Sequence, residues 1–213
     1  MNEARVNELL ARAGAIISGH FVFTSKRHGD TYINKDAIFP HTHDTCELCR
    51  GIALQFDGKG VEVVVAPEKG AIAMEQWVAY WLQKWNVRTG ASEILGVYAE
   101  KEGDGFVFRR GHDKLVRDKK VLVVEDLLTT GGSVKRTVDA VRAIGGTVIG
   151  VGAAANRGGV TKEDIGVPEL VALANPQLHD YAEDECPLCK QGVPINTEVG
   201  HGKKFLERQV QPV

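Results

Sequence analysis

The sequence is poor in the features that mark an exported, membrane-embedded or fibrous chain. No apolar run approaches the roughly 20 residues needed to span a bilayer. The first twenty residues carry Glu3, Arg5, Glu8 and Arg12, which leaves no uncharged core of the kind a signal peptide needs. Four cysteines in 213 residues are too sparse for a secreted disulfide framework. Positive charge is also in short supply. Lys+Arg 26 against Asp+Glu 28 gives a formal charge of −2, so the chain lacks the cationic field that drives binding to nucleic acid or anionic membranes. Any anionic ligand must therefore be held by a local site. Neither a Walker loop (GxxxxGK followed by Ser or Thr) nor a GxGxxG dinucleotide fingerprint is present. These absences point to a cytoplasmic globular protein with reduced thiols, acting on small molecules without nucleic-acid or membrane partners.

What is present fits one α/β domain, with 43% apolar and 25% charged residues. Val6, Leu9, Leu10 and Ala13 predict an opening amphipathic helix, and Gly19 to Pro40 reads as short strands and turns. Cys46, Cys49, Ile52, Ala53 and Phe56 recur at helical spacing from Asp44, before the apolar strand Val61 to Ala66. Ala73, Trp77, Tyr80 and Trp81 predict a second helix with that face in the core. Strands are expected at Ile94 to Tyr98, Phe106 to Phe108, Lys120 to Glu125 and Thr147 to Ala154, with a helix from Gly132 to Ile144. Strands alternating with helices imply a mostly parallel sheet with helices on both faces. After Asn175 the chain turns polar and turn-rich. The expected layout is a core over about 44–174 and a small hood subdomain from about 1–43 and 175–213.

The most informative segment is VLVVEDLLTTGGS, Val121 to Ser133. A buried strand runs into two carboxylates, Glu125 and Asp126, where ligands of open α/β sheets bind. The following turn suits a phosphate. Gly131 and Gly132 let backbone N–H groups approach closely, Thr129, Thr130 and Ser133 supply hydroxyls, and a helix N-terminus adds its dipole. Carboxylates would repel a phosphate beside them, so their task is to accept hydrogen bonds from neutral hydroxyls, as on a ribose, or to hold a divalent cation. An ordinary strand-turn-helix with an N-cap is the bland alternative.

This segment resembles the phosphoribosyl pyrophosphate motif of the type I phosphoribosyltransferases, and within that superfamily the chain is most similar to the orotate phosphoribosyltransferases. FVFTSKRHGDTYINKD (21–36) looks like that family's N-terminal substrate segment, APEKG (66–70) like its pyrophosphate turn, and AANRGG (154–159) like the segment whose arginine grips the orotate carboxylate. The resemblance implies a dimeric, Mg²⁺-assisted transferase that joins ribose 5-phosphate to orotate. It implies donor contacts from Glu68, Lys69, Gly70, Glu125, Asp126, Leu127, Leu128, Thr129, Thr130, Gly131, Gly132 and Ser133. Base contacts would come from Thr129 and Arg157, and the catalytic groups would be Lys69, Asp126 and Lys101. A purine base in place of orotate, or a non-catalytic sensor of phosphoribosyl pyrophosphate, are the alternative readings.

The chain also departs from the family pattern. Where the family has a mobile loop with an RKxxKxHG-like run, this sequence reads AEKEGDG, with Glu100 in place of the arginine, Lys101 retained, and Gly103 and Gly105 where Lys and His would stand. Arg109 to Lys114 (RRGHDK) could supply cations nearby, or form an exposed basic turn. Thr24, Ser25 and Lys26 occupy the stretch where a Lys usually precedes a Ser-Gly pair.

Two CxxC pairs, Cys46/Cys49 and Cys186/Cys189, have the ligand count and internal spacing of a structural zinc site. Cys46 and Cys49 also fall on a helix stripe where free cysteine serves as a small buried hydrophobe. His41, His43, His179 and His201 lie near the cysteines in polar stretches. Trp77, Trp81 and Trp85 form an i, i+4 stripe that reads as core or as a dimer face.

Overall fold

The valine-rich runs form the strands of a parallel sheet, and glycines on that sheet mark where helices press closest. In the computed structural model, which describes residues 1–86, 92–176 and 178–210, the elements run in chain order as α1 (Glu3–Arg12), β1 (Ile16–Val22), β2 (His28–Ile33), a 3-10 turn (Lys35–Ile38), α2 (Thr42–Phe56), β3 (Val63–Pro67), α3 (Ile72–Asn86), β4 (Leu95–Glu102) and β5 (Gly105–Val107). They continue as α4 (His112–Val116), β6 (Lys120–Leu128), α5 (Gly132–Ala143), β7 (Thr147–Asn156), α6 (Lys162–Ile165), β8 (Leu170–Ala174), β9 (Asp180–Tyr181), α7 (Pro187–Lys190) and α8 (Gly202–Val210). The chain divides into two compact units, Met1–Leu9 with Ile38–Pro176, and Leu10–Ala37 with Gln177–Val213. Residues 177 and 211–213 of the expected hood lie outside the described residues.

The first unit is built on a six-stranded sheet of order β5-β4-β3-β6-β7-β8, parallel except for β5. One face carries an aliphatic core in which Val63, Val65, Val121, Val123 and Val151 pack with Val134, Val138 and Val141 of α5. On the other face α2 lies so close that a Cβ on Gly150 would sit 2.6 Å from Phe56, and one on Gly152 2.5 Å from Ile52. Glycine is required there by contact rather than by dihedral freedom. The chain progresses outward from the centre in both directions, β3 to β4 and β6 to β7 to β8, so the order switches between β3 and β6. Open α/β sheets bind ligands at such a point.

The second unit holds the antiparallel sheet β1-β2-β9 with α7 and α8. Its buried apolar residues are few, chiefly Leu10, Ala15, Phe21, Val22, Phe23 and Ile33. Among the described residues no helix is long and apolar enough to cross a membrane.

Several expectations are corrected. β6 does not stop at Glu125 but runs to Leu128, because β7 continues to pair with it as far as Asn156. Arg109 to Lys114 is not a plain basic turn, since α4 begins at His112. On α3 the core face is not Ala73, Trp77, Tyr80 and Trp81 but Met74, Glu75, Val78, Ala79 and Leu82. The slim residues fit against the sheet, while the rings flank them, with Trp81 donating Nε1–H to the Cys46 carbonyl of α2 at 3.2 Å. The short strand β8, the capped turn α6 and the helix α8 carried no sequence expectation of their own.

Candidate active site

Every strand of the parallel sheet ends on the same edge, and the register places most of the expected site residues there. Val63 and Val65 of β3 pair with Val121 and Val123 of β6, so the turn Glu68–Gly70 after β3 and the acids of β6 come from adjacent strands, about 4.8 Å apart between axes. Ala99 of β4 pairs with Pro67 at the end of β3, and Lys101 follows two residues further on, exposed. β7 ends at Asn156 opposite Leu128, which places Arg157 at the same edge.

Within β6, Glu125 is 6% and Asp126 5% exposed, so both carboxylates are withdrawn from solvent. Backbone amides turn toward them. Asp126 N–H donates to Glu125 Oε1 at 3.1 Å, and Leu127 N–H to Asp126 Oδ1 at 2.6 Å. Such charge-assisted contacts fix carboxylates in place for a ligand. Thr129 and Thr130 are exposed, and Gly131 adopts a left-handed φ of 72° as the N-cap of the twelve-residue helix α5. A Cβ at Gly131 would also lie 2.8 Å from Val160, so this position needs glycine twice over. Gly132 N–H donates to Thr130 Oγ1 at 3.4 Å. Hydroxyls, a glycine turn and a helix N-terminus thus coincide, which suits a phosphoryl group.

The loop after β7 braces this turn. Arg157 and Gly158 N–H groups both donate to the Leu128 carbonyl, at 2.9 and 3.2 Å. The Asn156 side chain clamps Val160 with two bonds, donating to its carbonyl at 2.8 Å and accepting from its N–H at 3.0 Å. A Cβ at Gly158 would fall 1.5 Å from the Thr129 carbonyl oxygen. The half-buried Arg157 is therefore carried on a segment locked to the phosphate-type loop.

Lys69 is exposed at the tip of its turn, where the Glu68–Lys69 peptide is cis and Glu68 N–H donates to the Ala99 carbonyl at 2.9 Å. The cations beside Lys101 are engaged elsewhere. Arg110 donates to Glu100 at 3.0 Å, and Arg109 pairs with Glu102 across the β4–β5 hairpin.

Cys46 and Cys49 lie on α2 in the first unit, and Cys49 is wholly buried, with desolvation pushing its thiol pKa up, the setting of an inert apolar thiol. Cys186 and Cys189 gather instead with His20 and His28, in the second unit. His20 lies within an apolar run and His28 follows Lys26 and Arg27 in a polar stretch, so neither shows a metal-ligand spacing to the cysteines in sequence. His41 and His43, which drew attention, stand at the exposed start of α2.

A phosphoribosyl transferase domain model matches residues 41–171. The orotate phosphoribosyltransferase of Pelotomaculum thermopropionicum is 37% identical over 91% of this chain and 95% of its own length. That of Caldanaerobacter subterraneus is 36% identical over 92% and 96%. Among solved structures, a Mycobacterium tuberculosis orotate phosphoribosyltransferase in complex with Fe(III) dicitrate superposes with a TM-score of 0.64 at 23% identity, covering 81% of this chain and 95% of that one.

Proposed function

This chain belongs to the phosphoribosyltransferase family, alongside its orotate phosphoribosyltransferase relatives, and from that premise we propose that it transfers ribose 5-phosphate from phosphoribosyl pyrophosphate to orotate, giving orotidine 5'-monophosphate and pyrophosphate. The observation that carries the assignment is the buried acid pair Glu125/Asp126 running into the Thr129–Ser133 turn on β6, next to the Lys69 turn on β3.

In this reading the 5'-phosphate is held by Thr129, Thr130 and Ser133 and by the backbone of Gly131 and Gly132 at the positive end of α5. Leu127 and Leu128 carry the chain to that loop. Glu125 and Asp126 accept hydrogen bonds from the ribose hydroxyls, which orients C1' and stabilises the positive charge that develops as its bond to pyrophosphate lengthens. Lys69, with the backbone of Glu68 and Gly70, holds the pyrophosphate, and Lys101 offsets the negative charge growing on it. Thr129 and Arg157 present the base, with the guanidinium gripping the orotate carboxylate. Oxygen donors from Glu125 and Asp126 fit Mg²⁺, which supplies further charge neutralisation when bound with the donor. Free thiols and phosphorylated substrates fit the cytoplasm. The half-buried ring stripe of α3, with Tyr80 49% exposed, is the face through which a homodimer would form.

The test is pyrophosphate release from phosphoribosyl pyrophosphate and Mg²⁺ with orotate, adenine, guanine, hypoxanthine, xanthine or uracil supplied singly. Turnover with orotate alone is expected, and Asp126→Asn should lower kcat/KM by about 10²–10³. Turnover with a purine would keep the donor chemistry and discard orotate. Donor binding without turnover on any base would discard catalysis.

A further inference from the structure

The second unit contains roughly 65 residues, below the ~70–80 at which a hydrophobic core by itself holds a fold together. Against that deficit it brings two thiols and two imidazoles to one point. His20 Nε2 lies 3.6 Å from both Cys186 Sγ and Cys189 Sγ, His28 Nδ1 lies 3.3 Å from Cys189 Sγ, and the two ring nitrogens are 2.9 Å apart. All four ligand atoms fall within 4.8 Å of one another. Bond lengths of about 2.3 Å to sulfur and 2.05 Å to nitrogen give a tetrahedron whose S–N edges are about 3.5 Å and whose N–N edge is about 3.4 Å. The observed S–N separations match that figure, and the N–N edge needs to open by less than an ångström.

The surroundings are arranged for the same end. His20 Nδ1 is 2.8 Å from the Val193 carbonyl, which can only accept, so Nδ1 carries the proton and Nε2 presents its lone pair to the thiols. His20 sits where the β1–β2 register breaks between Ser18 and Phe21, and His28 opens β2 opposite Val22. Cys186 and Cys189 frame a Cys-Pro-Leu-Cys turn in which Pro187 starts the short helix and Gly192, at φ 68°, reverses the chain. His20, His28 and Cys186 are buried and Cys189 is at the surface, which leaves one open approach. Neither thiol is tied up in a disulfide.

We propose that His20, His28, Cys186 and Cys189 form a structural Zn²⁺ site that fastens the C-terminal Cys-Pro-Leu-Cys turn to the N-terminal hairpin. Four protein ligands close the coordination sphere, so the site is structural rather than catalytic. Mixed thiolate and imidazole donors exclude Mg²⁺ and Ca²⁺, which require oxygen. The two cysteines bind as thiolates, each releasing a proton on metal entry. Closure joins segments 166 residues apart in sequence, alongside the Asn196 N–H bond to the His20 carbonyl at 2.7 Å.

The full-length protein, purified without chelator, should contain one equivalent of zinc by plasma mass spectrometry. Removing that zinc should lower the melting temperature, and Zn²⁺ but not Mg²⁺ should restore it. Cobalt substitution should give the intense visible bands of a tetrahedral Co²⁺ centre with two sulfur ligands. Cys189→Ser, at the exposed ligand, should lose the zinc, whereas Cys46→Ser should retain the full equivalent. Absence of zinc and of any cobalt spectrum in the folded wild-type protein would overturn the proposal, as would loss of zinc in Cys46→Ser with retention in Cys189→Ser. The cobalt spectrum keeps the test decisive if Cys189→Ser fails to fold.

Discussion

Glu75 gives the sharpest thermodynamic test of the structure. It lies on the core face of α3, 1% exposed, with its carboxyl against β4 so closely that a Cβ on Gly96 would meet Oε2 at 2.3 Å. Gln76 Nε2 donates to Oε1 at 2.8 Å, while Oε2 has no hydrogen-bond partner among the described residues. Burial pushes the carboxyl pKa up to about 7, partly opposed by the Gln76 hydrogen bond. The unfolded chain ionises at the ordinary glutamate value, so it sheds its proton first. Stability is therefore full below about pH 4.5, falls as pH rises, and levels off above about pH 7. Linkage puts the total loss at about 3 kcal/mol, of which about 2.5 kcal/mol falls between pH 5 and 8. Glu75→Gln removes that titration without changing side-chain size. Urea unfolding of both proteins at pH 5, 6, 7 and 8, followed by the fluorescence of Trp77, Trp81 and Trp85 on the same helix, measures it. The variant should gain on the wild type by about 2.5 kcal/mol across that range, or about 5–10 °C in Tm for a chain of this length. Because only the change with pH is used, any fixed cost of burying the amide cancels. Parallel curves would show that Glu75 is solvated or paired and that the packing of α3 on β4 is misjudged.

Three further substitutions follow from the geometry. Gly158→Ala places a methyl group inside the Thr129 carbonyl and should cost about 3 kcal/mol, weakening phosphoribosyl pyrophosphate binding at least tenfold. Gly159→Ala meets no neighbouring atom within 4 Å and carries only the strain of a φ of 63°, so calorimetry should read a loss of about 1 kcal/mol and titration an unchanged donor affinity. Arg157→Ala should raise KM for orotate about 100-fold while leaving KM for the donor within about twofold. An equal effect on both substrates in steady-state kinetics would remove Arg157 from the base site.

The Val121–Ser133 segment was legible as a candidate site because its chemistry is continuous in the chain. A buried strand, two acids, hydroxyls and glycines follow one another from Val121 to Ser133, and a strand's direction alone puts them at a ligand-binding edge. Lys69 and Arg157 were singled out by family resemblance rather than by pattern, and each follows a strand of that sheet. Periodicity likewise located α2, α3, α5 and the four central strands.

What sequence pattern could not decide was long-range contact. On α3 the large rings dominate any hydrophobic reading, yet the buried face is the one carrying Met74, Glu75, Val78, Ala79 and Leu82, with Glu75 seated against Gly96 of β4. The tight approach of Gly158 to Thr129 joins residues whose glycine looks like any loop glycine until the two strands are paired. The cysteine spacing alone could not show which side chains lie near Cys186 and Cys189, because that distance depends on how the hairpin and tail close and not on the count of residues between them. Only the folded second unit brought His20 and His28 to Cys186 and Cys189, through a strand register and a turn that no local motif encodes.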